Sequence, residues 1–169
     1  MTSREELVRQ LLHAWRVHDR LMLYLLQQVP PLGLRAVPLN SRGRTVAEQF
    51  AHVNRVRMGW LGYHRTGMHP KMPPTEKGSP PSRAQLVAGV RKTGKAVEAL
   101  VRQVLDGDAK IRLFGGAVTR WIAYLIAHES HHRGQIMLAL KQSDMRMPNK
   151  VAVDGLWGPW IDESREEDA

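Results

Sequence analysis

Four stretches of this sequence, separated from one another by proline or glycine, repeat apolar side chains every three or four residues. That spacing puts the apolar groups on one face of an α-helix, so each stretch predicts an amphipathic helix that must bury this face. No stretch shows the alternation of apolar and polar residues that indicates a strand. The sequence therefore predicts an all-α protein, an up-down four-helix bundle with long loops after helices one and two and a short C-terminal segment.

Local signals indicate where the helices begin and end. Helix one, predicted at residues 4–29, ends at two consecutive prolines, because the proline ring cannot continue the hydrogen-bond ladder. Thr45 followed three residues later by Glu48 is a capping-box pattern, and helix two is predicted from there to about Arg65. The other predicted bounds are Ser82 to Asp106 for helix three and residues 117–142 for helix four.

Length and composition limit the class of protein. The 169 residues suit one domain, predicted at residues 1–161, followed by an acidic tail at residues 162–169 that is expected to be disordered. No apolar run is long enough for a membrane span, and the first residues do not resemble a secretory signal, so we expect a cytoplasmic protein without a membrane partner. Because this chain has no cysteine, its own side chains supply no disulfide, thiolate ligand or thiol nucleophile.

The formal net charge of +9 predicts a surface that attracts anions. The basic residues are scattered over the chain, without a basic block, interleaved aromatic residues or a nucleic-acid-binding motif. This distribution argues against nucleic acid and favours a small-molecule partner.

Three of the eight histidines fall within five positions of the predicted fourth helix, in the segment AHESHHRGQI at residues 127–136. His128 and His132 lie one turn apart on a stripe that begins and ends with apolar residues, so both are predicted to face the interior. His52 of helix two also lies on a largely apolar face. The residues alone leave two interpretations open: a metal site, or core histidines that are hydrogen-bonded to ordinary partners.

His52, the segment HESHHRGQ at residues 128–135, the helix start RTVAEQFAHV and the GLW at residues 155–157 together resemble the DinB family of bacterial four-helix proteins. The resemblance implies a divalent metal ion bound by His52, His128 and His132, and Zn²⁺ or Ni²⁺ suits imidazole ligands. It also implies a metal-dependent enzyme of the thiol S-transferase type, which acts on small electrophiles with a low-molecular-weight thiol as cosubstrate. The alternative is a non-catalytic, metal-binding stress-response module that acts as a homodimer.

Five further residues are candidates for contacts to a substrate or to the ligands. His18 is predicted to be either a fourth ligand or substrate contact, or a satisfied core histidine. Gln135 is predicted either to form a hydrogen bond within the site or to close a polar gap in the bundle. The aromatic candidates, predicted to form the core or the wall of a pocket, are Trp60, Tyr63 and Trp121.

Glu129 is predicted to form a surface or interhelix salt bridge rather than to orient an imidazole. His64, like His13 and His69, is predicted to be solvated or to lie in a loop.

Overall fold

The computed structural model describes residues 2–72 and 81–162, and this part of the chain is helical without any strand. The all-α prediction is therefore confirmed. A short fifth helix follows the four long ones. The helices are α1 (Ser3–Gln28), α2 (Val46–Thr66), α3 (Arg83–Asp106), α4 (Val118–Gln142) and α5 (Leu156–Ile161).

Capping explains why three of the long helices begin where they do. In each, a side-chain oxygen accepts the backbone N–H three residues later, and the side chain of that later residue accepts the N–H of the cap. α4 lacks such a cap, and its N-terminal flanking residue is Ala117. The three capping boxes are Thr2 with Glu5, Thr45 with Glu48, and Ser82 with Gln85.

α1 and α2 each pack against both α3 and α4. α2 and α3 run parallel, because Asn54 is hydrogen-bonded to Thr93, and further along both helices Leu61 and Leu100 line the same pocket. An up-down bundle would make these consecutive helices antiparallel, so this part of the prediction is wrong. The connection at residues 67–82 is long enough for a parallel return, since an extended residue spans about 3.3 Å and a helical residue only about 1.5 Å.

The buried apolar side chains form two clusters, one towards each end of the bundle. The first contains Leu25, Phe50 and Ile136, and Leu156 of α5 joins it. The second is built around Trp15, Val97 and Trp121. In every long helix the residues between the two clusters include a polar side chain, and these form a polar layer halfway along the bundle. The buried members of this layer are His18, Arg57, Thr93, Glu129 and His132.

Two further predictions concern membrane-spanning segments and the acidic tail. Each of the helices in the described ranges is too short or too polar to cross a membrane. The predicted acidic tail, apart from Asp162, lies outside the residues that the structure describes.

Candidate metal centre

Three histidines from two helices meet at the polar layer, to which His132 belongs. His52 of α2 and His128 and His132 of α4 each offer one ring nitrogen, and these nitrogens all lie within 4.8 Å of one another. The ring centroid of His52 is 5.4 Å from that of His128 and 4.7 Å from that of His132. His132 is buried and the other two rings are half-buried. The structure therefore brings together the three histidines that the sequence singled out.

Helix geometry explains this convergence. His128 and His132 are four residues apart, which puts both rings on the same face of α4. α2 lies antiparallel to α4 across this face, since Gln49 contacts His132 near the start of α2 and His64 contacts Trp121 near its end. His52 lies one turn after Gln49 and faces both histidines of α4.

The three rings are uncharged at neutral pH. Burial lowers the pKa of His52 and of His132 to about 4 from the ordinary 6.5, and it also lowers the pKa of His128. The positive charge of Arg44 contributes to the lower pKa at all three positions. Neutral imidazole is the form that coordinates a metal ion, so the site is ready to bind one without first losing protons.

Gln49 orients His132. Its Oε1 atom lies 2.8 Å from Nδ1 of His132, and both side chains are buried. Because a carbonyl oxygen only accepts, Nδ1 donates the hydrogen bond and Nε2 keeps a lone pair for a metal ion. No role was predicted for Gln49 from the sequence. Its spacing of three residues from His52 was the available signal.

The donor set fits a divalent ion. The three-histidine group contains no carboxylate and no thiolate, and imidazole nitrogens are ligands that suit Zn²⁺ and Ni²⁺. Nδ1 of His128 is buried and has no hydrogen-bond partner among the described residues. Leaving a buried polar atom unpaired ordinarily lowers the stability of the fold by about 1 to 3 kcal/mol. Three protein ligands leave coordination positions open, as in catalytic rather than structural zinc sites.

Replacing Gln49 by alanine is expected to weaken Zn²⁺ binding by roughly 10- to 100-fold, because His132 loses the acceptor that fixes its tautomer and orientation. Competition with a chromogenic chelator measures this affinity. Gln49→Glu, which keeps an acceptor, should recover most of it. Gln135→Ala is the matched control, and equal affinities for all of these variants and the wild type would contradict the role of Gln49.

The structure does not place His18 and Gln135 with the three histidines. Nε2 of His18 lies 2.8 Å from Oε2 of Glu129, and the His18 side chain is fully buried. His18 is therefore a core histidine paired with Glu129 and does not join the three-histidine group, and its Nδ1 has no hydrogen-bond partner among the described residues. Nε2 of Gln135 lies 2.8 Å from Nε2 of His131 on the outer side of α4. Gln135 therefore contacts a histidine that is not one of the three in the candidate centre.

The aromatic candidates divide between core and wall. Trp121 is fully buried and packs against His64, with ring centroids 4.7 Å apart, so it belongs to the core. Trp60 packs edge to face against both Tyr63 and Tyr124. Tyr124 in turn stacks on His128, with the ring centroids 5.8 Å apart and an angle of 23° between the ring planes. Trp60, Tyr63 and Tyr124 form an aromatic wall, and Tyr124 is its member that contacts the three-histidine group.

Glu129 lies in the interior rather than at the surface. Its carboxylate accepts two hydrogen bonds from Arg57, at 2.7 and 2.6 Å, and also contacts His18. Burial alone would raise the pKa of Glu129, but the guanidinium of Arg57 outweighs it and holds the pKa at about 2. Arg57 also pairs with Asp19 and lies 4.8 Å over the ring of Trp15. The interhelix option predicted for Glu129 is therefore correct, and the surface option is wrong.

His64 is buried, with 3% of its surface exposed, although the sequence analysis predicted solvent or a loop. Its Nδ1 accepts the backbone N–H of Arg112 at 3.2 Å, and Trp60 stacks on the ring at 5.8 Å. Burial, together with the charge of Arg112, lowers the pKa of His64 to about 4.

His64→Asn is expected to remove part of the acid sensitivity of the fold. Between pH 6.5 and pH 4 the unfolded chain binds a proton at position 64 that the folded chain does not bind, so the free energy of unfolding falls as the pH falls through this window. The contribution reaches about 3 kcal/mol at its acid end. Urea unfolding of both proteins at pH 4 and pH 7 measures it, and an unchanged pH dependence in the variant would contradict it.

These observations define a class of protein: an all-α bundle with a candidate three-histidine metal centre between two antiparallel helices. The family model described as DinB superfamily matches residues 14–136, a span that includes all three histidines. The match covers well over half of the chain, and the chain belongs to the DinB superfamily. No curated protein matches it in a sequence search.

Proposed function

We propose that this protein binds one divalent metal ion, Zn²⁺ or Ni²⁺, through His52, His128 and His132. The observation that carries the proposal is the convergence of three ring nitrogens within 4.8 Å of one another. Membership of the DinB superfamily supports it. The low pKa values of the three rings support it as well, because a proton does not compete with the metal near neutral pH.

We propose further that the protein is a metal-dependent enzyme of the thiol S-transferase type. A divalent ion held there with open coordination positions would lower the pKa of a bound thiol, which would release its proton to solvent and, as thiolate, attack an electrophilic carbon. The new bond joins sulfur to that carbon, and the leaving group departs with the bonding electrons. Because this chain has no cysteine, the nucleophile must come from a low-molecular-weight thiol. Such thiols are kept reduced in the cytoplasm, where the proposal places the protein.

Other residues of this chain would contact the substrate, orient a metal ligand or stabilise the fold. The ring of Tyr124 covers one side of His128, and the aromatic wall offers an apolar surface to a small electrophile. Gln49 holds His132 in one tautomer. Glu129 accepts hydrogen bonds from Arg57 and contacts His18, so we assign it a structural role and no part in proton transfer.

Two measurements test the proposal. Elemental analysis of protein purified without chelator or affinity tag should find one divalent ion per chain. Metal-loaded protein should then turn over 1-chloro-2,4-dinitrobenzene or a bimane electrophile with at least one of glutathione, bacillithiol and mycothiol, and metal-free protein should not. Stoichiometric metal without turnover would overturn the enzyme proposal and favour a non-catalytic stress-response module. Sedimentation analysis would then test for the homodimer that this alternative involves.

A further inference from the structure

A pocket of about 460 Å³ opens directly beside the candidate metal centre. It lies between the segment that precedes α2 and the first turns of that helix. Its lining includes His52 itself, one acidic residue, Glu48, and three arginines, Arg42, Arg44 and Arg55.

The charge of this pocket is positive. Among the described residues that line it, three carry a guanidinium group and one carries a carboxylate. Oε2 of Glu48 is engaged by the backbone N–H of Thr45 at 2.8 Å and by the Thr45 hydroxyl at 3.0 Å, as part of the α2 capping box. Arg42 and Arg44 are exposed to solvent, so an incoming anion can reach both.

Local hydrogen bonds shape the segment that carries two of these arginines. The N–H of Gly43 donates to Oγ of Ser41 at 2.9 Å, and the N–H of Val46 donates to the carbonyl of Ala36 at 2.9 Å. Arg42 and Arg44 therefore belong to a turn that hydrogen bonds hold in place.

We propose that this pocket binds the anionic group, a carboxylate or a phosphate, of the small molecule whose other end reaches the metal centre. Arginine forms paired, charge-assisted hydrogen bonds with such groups. Because His52 belongs to both the pocket and the three-histidine group, one small molecule can occupy both. The inference rests on the proposed function in taking the metal centre as the place of reaction.

The position of the aromatic wall indicates which small molecules could meet at the centre. Trp60 and Tyr63 lie towards the C-terminal end of α2, whereas Arg42 and Arg44 precede its N-terminal end, and His52 lies between the two groups. The centre is thus flanked by a cationic pocket on one side and an apolar wall on the other. This arrangement selects an anionic cosubstrate and an apolar electrophile as the pair that meets at the centre.

Calorimetric titration of the metal-free protein at low salt tests the pocket without any turnover. The probes are S-methylglutathione, which has carboxylates and no free thiol, and inorganic phosphate. We expect Arg42→Gln and Arg44→Gln each to weaken binding of the preferred probe by about tenfold or more, since hydrogen bonds between charged groups are worth about 1.5 to 3 kcal/mol. Arg120→Gln, the same change at an exposed position in the first turn of α4, should leave the affinity unchanged.

The outcomes separate this inference from the proposed function. Undetectable binding of both probes to the wild type, or an equal loss in all three variants, would overturn the pocket. Tighter binding of S-methylglutathione assigns the anion to a carboxylate, and tighter binding of phosphate assigns it to a phosphate. A selective pocket in a protein that takes up no metal would overturn the proposed function alone. Normal metal uptake with unchanged affinity in Arg44→Gln would overturn the pocket alone.

Discussion

Replacing His132 by alanine is expected to weaken Zn²⁺ binding by at least about 100-fold. Structural zinc sites with four ligands bind with roughly 10 to 16 kcal/mol, so each ligand accounts for about 3 kcal/mol. His132 is the most buried of the three histidines, and its loss also leaves Oε1 of Gln49 without its partner. Competition with a chromogenic chelator measures the affinity, and the thermal midpoint with and without metal provides a second measurement.

His131→Ala is the matched control for this prediction. The residue is adjacent in sequence and is also a histidine, but it is exposed and bonded to Gln135 on the outer side of α4. Its removal should leave Zn²⁺ affinity within about twofold of the wild type. If His132→Ala bound Zn²⁺ as tightly as His131→Ala does, His132 would not be a ligand.

Replacing Arg57 by methionine is expected to lower the free energy of unfolding by about 3 to 5 kcal/mol, since removing one partner of a buried ion pair leaves the other charge unpaired in the interior. Arg57 is fully buried and joins α2 to Glu129 of α4 and to Asp19 of α1. The carboxylates of Glu129 and Asp19 outweigh the effect of burial and raise its pKa above the ordinary value. Urea unfolding, with the midpoint and the slope fitted separately, measures the loss.

The same substitution at an exposed ion pair supplies the control. Arg16 pairs with Glu98 across α1 and α3, and its side chain is 49% exposed. Arg16→Met should cost less than about 1 kcal/mol. In addition, Arg57→Met combined with Glu129→Leu should be less destabilised than the sum of the two single variants, because the double variant leaves neither charge of that pair behind. Additive effects, or a small loss in Arg57→Met, would show that the pair contributes little.

The helices could be predicted from the sequence because their signals are local. Apolar spacing identifies the buried face of each helix, and capping pairs such as Thr45 with Glu48 mark the starts within a few residues. The direction of α3 relative to α2 has no such signal. It depends on contacts between residues that are distant in sequence, such as that of Asn54 with Thr93.

Helical spacing was enough to predict which histidines face the interior. It was not enough to predict which charged side chains are buried as ion pairs. His52, His128 and His132 lie on inward stripes, and the structure brings them together. The sequence left Glu129 between a surface and an interhelix salt bridge and gave no signal for Arg57, because charged side chains are seldom buried alone. Each is buried because the other is present, and this condition joins residues that are 72 positions apart in the sequence.

The separation of the ligands along the chain has a consequence for the order of events during synthesis. His52 and His132 are 132 − 52 = 80 residues apart, and they meet only where α4 lies against α2. A growing polypeptide that has left the ribosome as far as α3 carries one of these three imidazoles, so the donor set of the candidate centre is still incomplete. Binding of the proposed ion would thus be a late event in the synthesis of the chain.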